Sequence, residues 1–296
     1  TTAADLSSTF GPRLKASEGF RYDFHRGIDI PARIGTPVRA VAAGEVRIAG
    51  LHPTYEDALV QIRHTRGGAT TCADSPNGCF YSNYMHLSHW TVAEGDRVEQ
   101  GDVIGYTGTS KSEFEHLHFE IRDGGIYQQN AIHPLRMLPH DEAVDLSATV
   151  EANVAADEHG FAAEVNVLDP HGALDVTAVR VRLLDRDSHE LRDERTFEME
   201  TWNREWTHRE SDWPALDCPK HAEHPREMHY DPNVHTDNPS FGGLEIQPSK
   251  FNAESDSYGL AIRFEAMSTP TYDDSIALEV EVENTRGELV VHHVEP

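Results

Sequence analysis

The sequence predicts an all-β protein, because short segments alternate apolar and polar residues along most of the chain. Turns that carry Gly, Asp or Pro separate these segments, and no long helical period interrupts them. The 296 residues can form two compact domains or one large all-β domain. A change in the sequence pattern along the chain favours two domains, an N-terminal β-rich domain and a C-terminal β-sandwich.

The N-terminal domain is predicted to span residues 1–140. Its alternating segments are typical of half-buried strands, and they cover residues 36–50, 58–64, 103–108 and 116–121. Residues 131–145 contain two prolines and then an acidic run, a composition that is typical of a linker. We therefore place the boundary near residue 140.

The C-terminal domain is predicted to span residues 141–296 as a two-sheet sandwich. Six alternating segments support it: residues 146–154, 161–167, 176–184, 258–266, 276–284 and 289–295. Residues 201–250 are polar, rich in Trp, His and Pro, and without a clear period. We interpret this stretch as a long insertion or an irregular face of the sandwich.

The charge balance is strongly acidic, with 51 Asp and Glu against 25 Lys and Arg and a formal net charge of −26. A field of this sign repels phosphates and anionic lipids, so nucleic acid and membrane surfaces are excluded as partners. No apolar run is long enough to span a bilayer. The first residues lack the features of a signal peptide, which is also expected of a mature protein after signal removal.

The chain has three cysteines. Cys72 and Cys79 flank the turn-rich segment ADSPNG, which can bring their Cα atoms within disulfide range; free thiols on a surface hairpin are the alternative. A disulfide would indicate an oxidising compartment. Cys218 lies near His221 and His224, and we interpret this segment as a polar loop, with a second metal site as the alternative.

Four residues form a pattern suited to metal binding. His25 lies four positions before Asp29, and His116 and His118 lie two apart in a predicted strand. Residues two apart in a strand face the same side, so both imidazoles face one way. Imidazole and carboxylate are suitable zinc ligands. Either pair alone is weak evidence for a metal site. Both pairs together, within one β domain whose strands are separated by glycine-containing turns, are much stronger evidence.

The ordered motifs HRGIDI, GTPVRAVAAGEVRIAG, YMHLS, GDVIGYTGTS and HLHFEI resemble those of the lysostaphin-type (LytM-like) zinc metalloendopeptidases, over roughly residues 8–138. The resemblance implies a lysostaphin-like catalytic domain that binds one Zn²⁺ per chain. By position, His25, Asp29 and His118 match the metal ligands of the family. His86 and His116 match its catalytic histidines, although the sequence does not assign the general base to either one.

The resemblance implies hydrolysis of peptide bonds in peptidoglycan, in stem-peptide cross-links or glycine-rich bridges, by a metal-activated water. The expected partner is a peptidoglycan peptide or a glycine-rich peptide. The expected form is a monomer, located outside the cell or in the cell envelope (periplasm). Two alternatives stay open: a non-catalytic binding or activator module on the same fold, and a secreted endopeptidase for glycine-rich proteins.

Overall fold

The structure is a computed structural model. It describes residues 6–15, 21–53, 55–75, 77–110, 112, 114–139, 150–157, 160–169, 176–204, 240–241, 244–252, 257–267 and 275–294. Nearly all regular structure in these ranges is β-strand, so the all-β prediction is confirmed. The predicted boundary near residue 140 lies outside the described residues and stays a prediction.

Strands before that boundary are short and mostly joined by tight turns. They are β1 (Gly11–Lys15), β2 (Arg21–His25), β3 (Ile28–Pro31), β4 (Pro37–Arg39), β5 (Gly44–His52), β6 (Asp57–His64), β7 (Phe80–Met85), β8 (Leu87–Trp90), β9 (Arg97–Val98), β10 (Val103–Thr107), β11 (His116–Asp123) and β12 (Ala131–Ile132). Two 3₁₀ turns, Gln128–Asn130 and Pro134–Arg136, flank β12.

Strands after the boundary are longer. They are β13 (Val150–Asp157), β14 (Gly160–Asp169), β15 (Val176–Asp185), β16 (Leu191–Glu198), β17 (Ser240–Phe241), β18 (Leu244–Asn252), β19 (Ser257–Met267), β20 (Ile276–Asn284) and β21 (Leu289–Val294). A helical segment covers residues 199–204. Within the described residues, no helix has the length and hydropathy needed to cross a membrane.

The chain divides into two compact units, and β3–β12 belong to the first. Its main sheet has seven strands in the order β12-β11-β7-β6-β5-β9, and β3 pairs with the edge of β11 that also carries β12. A smaller sheet has the order β4-β10-β8. The interior contains Val46, Val60, Ile62 and Phe119, all buried. Burial of each such side chain contributes about 1.5–3 kcal/mol.

A buried polar chain crosses the core of this unit. His64 Nδ1 donates to the carbonyl of Ala43 at 2.9 Å, and its Nε2 lies 2.7 Å from Ser82 Oγ. The Ser82 hydroxyl lies 3.1 Å from the hydroxyl of Tyr84, which accepts from the amide of Val41. Burial raises the pKa of Tyr84 to about 12, so the phenol stays protonated. His64 and Tyr84 are therefore core residues.

The segment between β6 and β7 contains the predicted disulfide. Cys72 and Cys79 are bonded, with Cα atoms 4.9 Å apart. Beside them, Arg66 pairs with Asp123 at 2.7 Å and lies over the ring of Phe80. The disulfide closes a loop within this long connection, and the ion pair holds the connection to the end of β11.

The second unit contains β1, β2 and β13–β21 in two sheets. One sheet has the order β13-β14-β19-β18-β1-β2 with β17 beside β18, and the other the order β16-β15-β20-β21. The pairing of β1 with β18 is parallel and joins Arg13 to Ser249. Alternation within a segment carries no information about so distant a partner, so the sequence did not predict it.

The predicted insertion at residues 201–250 is in part regular structure. Residues 205–239, including Cys218, His221 and His224, lie outside the described residues. However, residues 244–250 belong to β18, which pairs with β19. Pro248 and Lys250 interrupt the alternation of this strand, and for that reason the sequence pattern did not reveal it.

We predict that His64 contributes to acid lability. Burial lowers the pKa of its imidazole from the ordinary value of 6.5, so the folded chain resists protonation of this ring. The unfolded chain binds the proton, and stability must fall as pH decreases below about 6.5. Urea unfolding between pH 8 and 5 should give a steeper loss for the wild type than for His64→Gln. Equal slopes would contradict this assignment.

Candidate active site

Two of the predicted site residues meet through the pairing of β3 with β11. Asp29 lies directly opposite His118 in the antiparallel register. Their side chains touch, with His118 Nδ1 2.9 Å from Asp29 Oδ1. The backbone of Asp29 is also held from its other side, since its amide donates to Ser8 and its carbonyl accepts from Ser7. The backbone of Asp29 is therefore held on both sides, by β11 and by the bridge to Ser8.

His25, at the end of β2, completes a group of three. One ligand atom from each of His25, Asp29 and His118 lies within 4.8 Å of the others, an arrangement that can hold a metal ion. His25 and Asp29 are buried, and His118 is half-buried. Two imidazoles and one carboxylate are a donor set that suits zinc and leaves a fourth position for water or substrate.

The other two predicted site histidines lie beside this group. The rings of His86 and His116 have centroids 4.8 Å apart, and those of His86 and His118 are 5.7 Å apart. His116 Nε2 lies 3.4 Å from Asp29 Oδ1, and its Nδ1 donates to the carbonyl of Phe114. The structure thus brings together all five residues that the sequence pattern selected.

His86 has an unusual backbone. It connects β7 to β8 with φ of 63°, in the left-handed region that non-glycine residues rarely adopt. Its Nδ1 donates to the carbonyl of Ser110 at 2.6 Å. Backbone strain of this kind persists only where surrounding contacts maintain it, and it is frequent at active sites.

The electrostatics of the group favour positive charge. Burial opposes the charged form of His118, but hydrogen bonds and charge from Asp29 and Glu120 outweigh burial and raise its pKa to about 9. These two carboxylates flank one imidazole, at Nδ1 and at Nε2. A cation at this position is therefore stabilised, whether it is an imidazolium or a metal ion.

Glu120 is a site residue that the sequence reasoning missed. Its Oε1 accepts from His118 Nε2 at 3.1 Å, so the other nitrogen, Nδ1, is left to face Asp29. A metal-binding histidine commonly donates its second N–H to such a carboxylate. A signal existed, because the alternation that pairs His116 with His118 continues to Glu120 and Arg122 on the same face of β11.

A buried network holds Glu120 in place. Its Oε2 accepts from Arg122 Nε at 2.8 Å and from Asn83 Nδ2 at 2.8 Å. Asn83 accepts in turn from Gln61 at 2.8 Å, and Arg122 donates to the Tyr55 hydroxyl. Burial alone would raise the pKa of Glu120, yet Arg122 and His118 reverse that effect and lower it. The carboxylate therefore stays ionised inside the protein.

Gly27 lies between His25 and Asp29 and has a packing requirement. A Cβ at this position would lie 2.4 Å from the carbonyl oxygen of Phe119 and 2.9 Å from ring atoms of His118. The first of these is backbone, which cannot move aside without breaking the β3–β11 register. The motif H-x-G-x-D therefore needs glycine for close approach to β11.

An open groove lies next to these histidines. It has a volume of about 470 Å³, and its walls include Ile34, Leu51 and Trp90. Ala58 and Ser110 also line it, and Ser110 is the residue whose carbonyl accepts from His86. An extended peptide with apolar side chains suits such a surface.

One part of the chain is similar to a known peptidase family. Residues 23–134 match Peptidase family M23. The match covers all five residues of the group described above, and it confirms the resemblance of this part of the chain to the lysostaphin-type metalloendopeptidases.

Three relatives illustrate the range of the family. The DD-carboxypeptidase/endopeptidase Mpg of Neisseria meningitidis serogroup B is 40% identical over 121 residues, which are 40% of this chain and 25% of that protein. The peptidoglycan DD-endopeptidase ShyC of Vibrio cholerae serotype O1 is 32% identical over a region that covers 42% of this chain and 26% of ShyC. Lysostaphin of Staphylococcus staphylolyticus is 31% identical over a region that covers 40% of this chain and 23% of lysostaphin. The chain thus spans about a quarter of the length of these relatives.

We predict that Gly27→Ala abolishes metal binding. The added methyl group must push β3 away from β11, which separates Asp29 from His118, and overpacking of this kind costs about 1–3 kcal/mol. Zinc content after dialysis against Zn²⁺ measures the effect. The control is Gly101→Ala, which strains a turn with φ of 93° but meets no neighbouring atom. Equal zinc content in Gly27→Ala and the wild type would contradict the prediction.

Glu120→Gln should weaken metal binding while the fold is retained. The substitution removes the charged acceptor of His118 Nε2–H, and loss of such a partner typically lowers metal affinity about 10–100-fold. Competition with a zinc chelator measures the affinity. Glu45→Gln is the matched control, because Glu45 lies on β5 of the same sheet and pairs only with Arg47 and Arg63 among the described residues. The assignment is wrong if both variants bind zinc equally well.

Proposed function

We propose that this chain is a zinc-dependent endopeptidase that hydrolyses peptide bonds in peptidoglycan. The observation that supports it most is the convergence of His25, Asp29 and His118 within 4.8 Å, inside the part of the chain that matches a peptidase family. His86 and His116 lie against that group and are the residue type that moves protons near neutral pH. These five residues together suit hydrolysis better than binding alone.

When bound, zinc would lower the pKa of a water molecule and polarise the scissile carbonyl. The protein residues supply the rest of the chemistry. His25, Asp29 and His118 would hold the ion, and Glu120 would orient His118. His86 and His116 would transfer protons and stabilise the oxyanion. Hydrolysis of this kind needs no covalent intermediate with the protein.

The proposed substrate is the peptide part of peptidoglycan. One relative is described as a DD-carboxypeptidase/endopeptidase and another as a peptidoglycan DD-endopeptidase, which supports stem-peptide cross-links. The net charge of −26 disfavours tight adsorption to an anionic wall, so we propose that recognition depends on the groove beside His86 and less on surface charge.

The proposed location is outside the cytoplasm, at the cell envelope or in the medium. The Cys72–Cys79 disulfide supports this location, because such bonds persist in oxidising compartments. We further propose that the strands beyond the boundary near residue 140 form an accessory domain that assists the catalytic domain, with the chain acting as a monomer.

The decisive experiment is a parallel digestion. The zinc-loaded chain is incubated with purified peptidoglycan and with a glycine-rich protein, and mass spectrometry identifies the products. Released stem-peptide fragments support the proposal. Products from the glycine-rich protein alone would show that the substrate is a glycine-rich protein and not peptidoglycan. No products from either would favour the non-catalytic binding module.

Variants of the site histidines should separate metal binding from turnover. His118→Ala should lose zinc and activity together, since it removes a proposed ligand. His116→Ala and His86→Asn should retain zinc while turnover falls about 10²–10⁴-fold, the usual contribution of a general acid or base. Asparagine is chosen at position 86 because it tolerates the left-handed backbone.

His89→Ala is the control for these variants. His89 is exposed and stacks on Tyr106, and it lies three residues from His86 on the same segment. Its loss should leave both zinc content and turnover unchanged. Full activity of the His116 variant would show that this residue has no acid–base role.

A further inference from the structure

Asp57 is a buried carboxylate next to the proposed catalytic histidines. It begins β6 and pairs across to His52 of β5, and its side chain is 1% exposed. Neither carboxylate oxygen accepts a hydrogen bond from the described residues. A buried charge without hydrogen bonds is costly, so we expect a group that can become positively charged nearby.

His86 is the group that faces this carboxylate. Its Nδ1 lies 2.8 Å from Asp57 Oδ2, while the N–H itself is directed at the carbonyl of Ser110 at 2.6 Å. Ser110 is positioned by the same strand, because its hydroxyl accepts from the amide of Ala58. Asp57, Ala58 and Ser110 therefore form a single support behind one nitrogen of the His86 ring.

The two oxygens near Nδ1, the carbonyl of Ser110 and Oδ2 of Asp57, fix the position of the ring proton. A carbonyl and an ionised carboxylate can only accept, so Nδ1 must carry the hydrogen. In the neutral ring, Nε2 then has the free lone pair. The Ser110 carbonyl alone is enough to select this tautomer, so the additional effect of Asp57 is its negative charge.

His116 has a different environment. Its Nδ1 donates to the neutral carbonyl of Phe114, and the nearby carboxylate is Asp29, at 3.4 Å from Nε2. Asp29 is a proposed metal ligand, and a bound cation would take up its charge. Within the described residues, of the two catalytic candidates only His86 thus lies next to a carboxylate, that of Asp57, that is not a proposed metal ligand.

We propose that Asp57 is a positioning residue for the reaction, holding the His86 ring and supporting His86 in preference to His116 as the proton acceptor. This proposal rests on the proposed function. The attacking water loses a proton to His86 Nε2 as its oxygen forms a bond to the scissile carbonyl carbon, and the π electron pair of the carbonyl moves to the carbonyl oxygen. The C–N bond then breaks as this pair returns, and the proton on His86 passes to the leaving amine nitrogen. The carboxylate of Asp57 compensates the charge that the ring gains.

The test uses the whole 296-residue chain loaded with zinc and its variant Asp57→Asn, which keeps the shape of the side chain and removes its charge. The probe substrate is a soluble cross-linked stem-peptide dimer. We expect kcat to fall about 100-fold while KM stays within about twofold, because the lost interaction serves the transition state. Zinc content should not change. Asp123→Asn, which removes an equivalent charge at the end of β11, is the control.

Proton NMR of the ring supplies a readout that does not require turnover. The His86 Nδ1 proton, assigned by its absence in His86→Asn, should exchange slowly with solvent and resonate downfield in the wild type. In Asp57→Asn it should move upfield and exchange faster, and Asp123→Asn should leave it in place. If the wild-type chain cleaves nothing, the proposed function fails, and this resonance still tests the Asp57–His86 contact.

Each remaining outcome overturns the proposal. A kcat of Asp57→Asn close to that of the wild type would show that the charge is not used. Loss of zinc or of the folding transition in this variant would assign Asp57 to the metal group or to the core. An unchanged ring resonance would show that the carboxylate does not hold His86.

Discussion

The register between β3 and β11 is the constraint on which the site depends. It sets Asp29 opposite His118 and, through the other edge of β11, sets His118 opposite Met85, the residue before His86. Side chains alternate between the two faces of a strand, so a slip of one residue would send one partner of each pair to the wrong face. Gly27 enforces this register by allowing the backbones to approach closely. Backbone pairing therefore determines which side chains of the candidate site can meet.

Polar groups inside this sheet add rigidity at an energetic cost. Glu120 and Arg122 are both almost fully buried, and buried ion pairs often contribute little net stability. Here they are joined by Asn83 and Gln61 into a chain that ends on a histidine of the candidate metal group. A satisfied network of this kind limits the orientations of its members. The orientation of His118 is the property that a metal site needs, and an apolar core of equal stability would not provide it.

The sequence predicted the elements and the five residues of the group better than it predicted their surroundings. Alternation identified β5, β6, β10 and β11, because one face of each is apolar. It also placed His116 and His118 on one face. Asp57 could not be recognised, since a carboxylate at the start of an apolar strand looks the same whether it is solvated or buried. The pairing of β1 with β18 depends on contacts between residues more than 200 positions apart, which local patterns do not encode.

The left-handed backbone at His86 has an evolutionary consequence. A non-glycine residue in this conformation costs about 1–3 kcal/mol, so glycine at position 86 would relieve strain. Selection for heat resistance alone would therefore favour glycine at this position, and histidine would be retained only if its side chain has the proposed role. Among sequences that share this sheet, glycine between β7 and β8 would therefore indicate selection for stability. Histidine there would indicate selection for the role of its side chain. Laboratory libraries screened for folding alone would enrich glycine at this position.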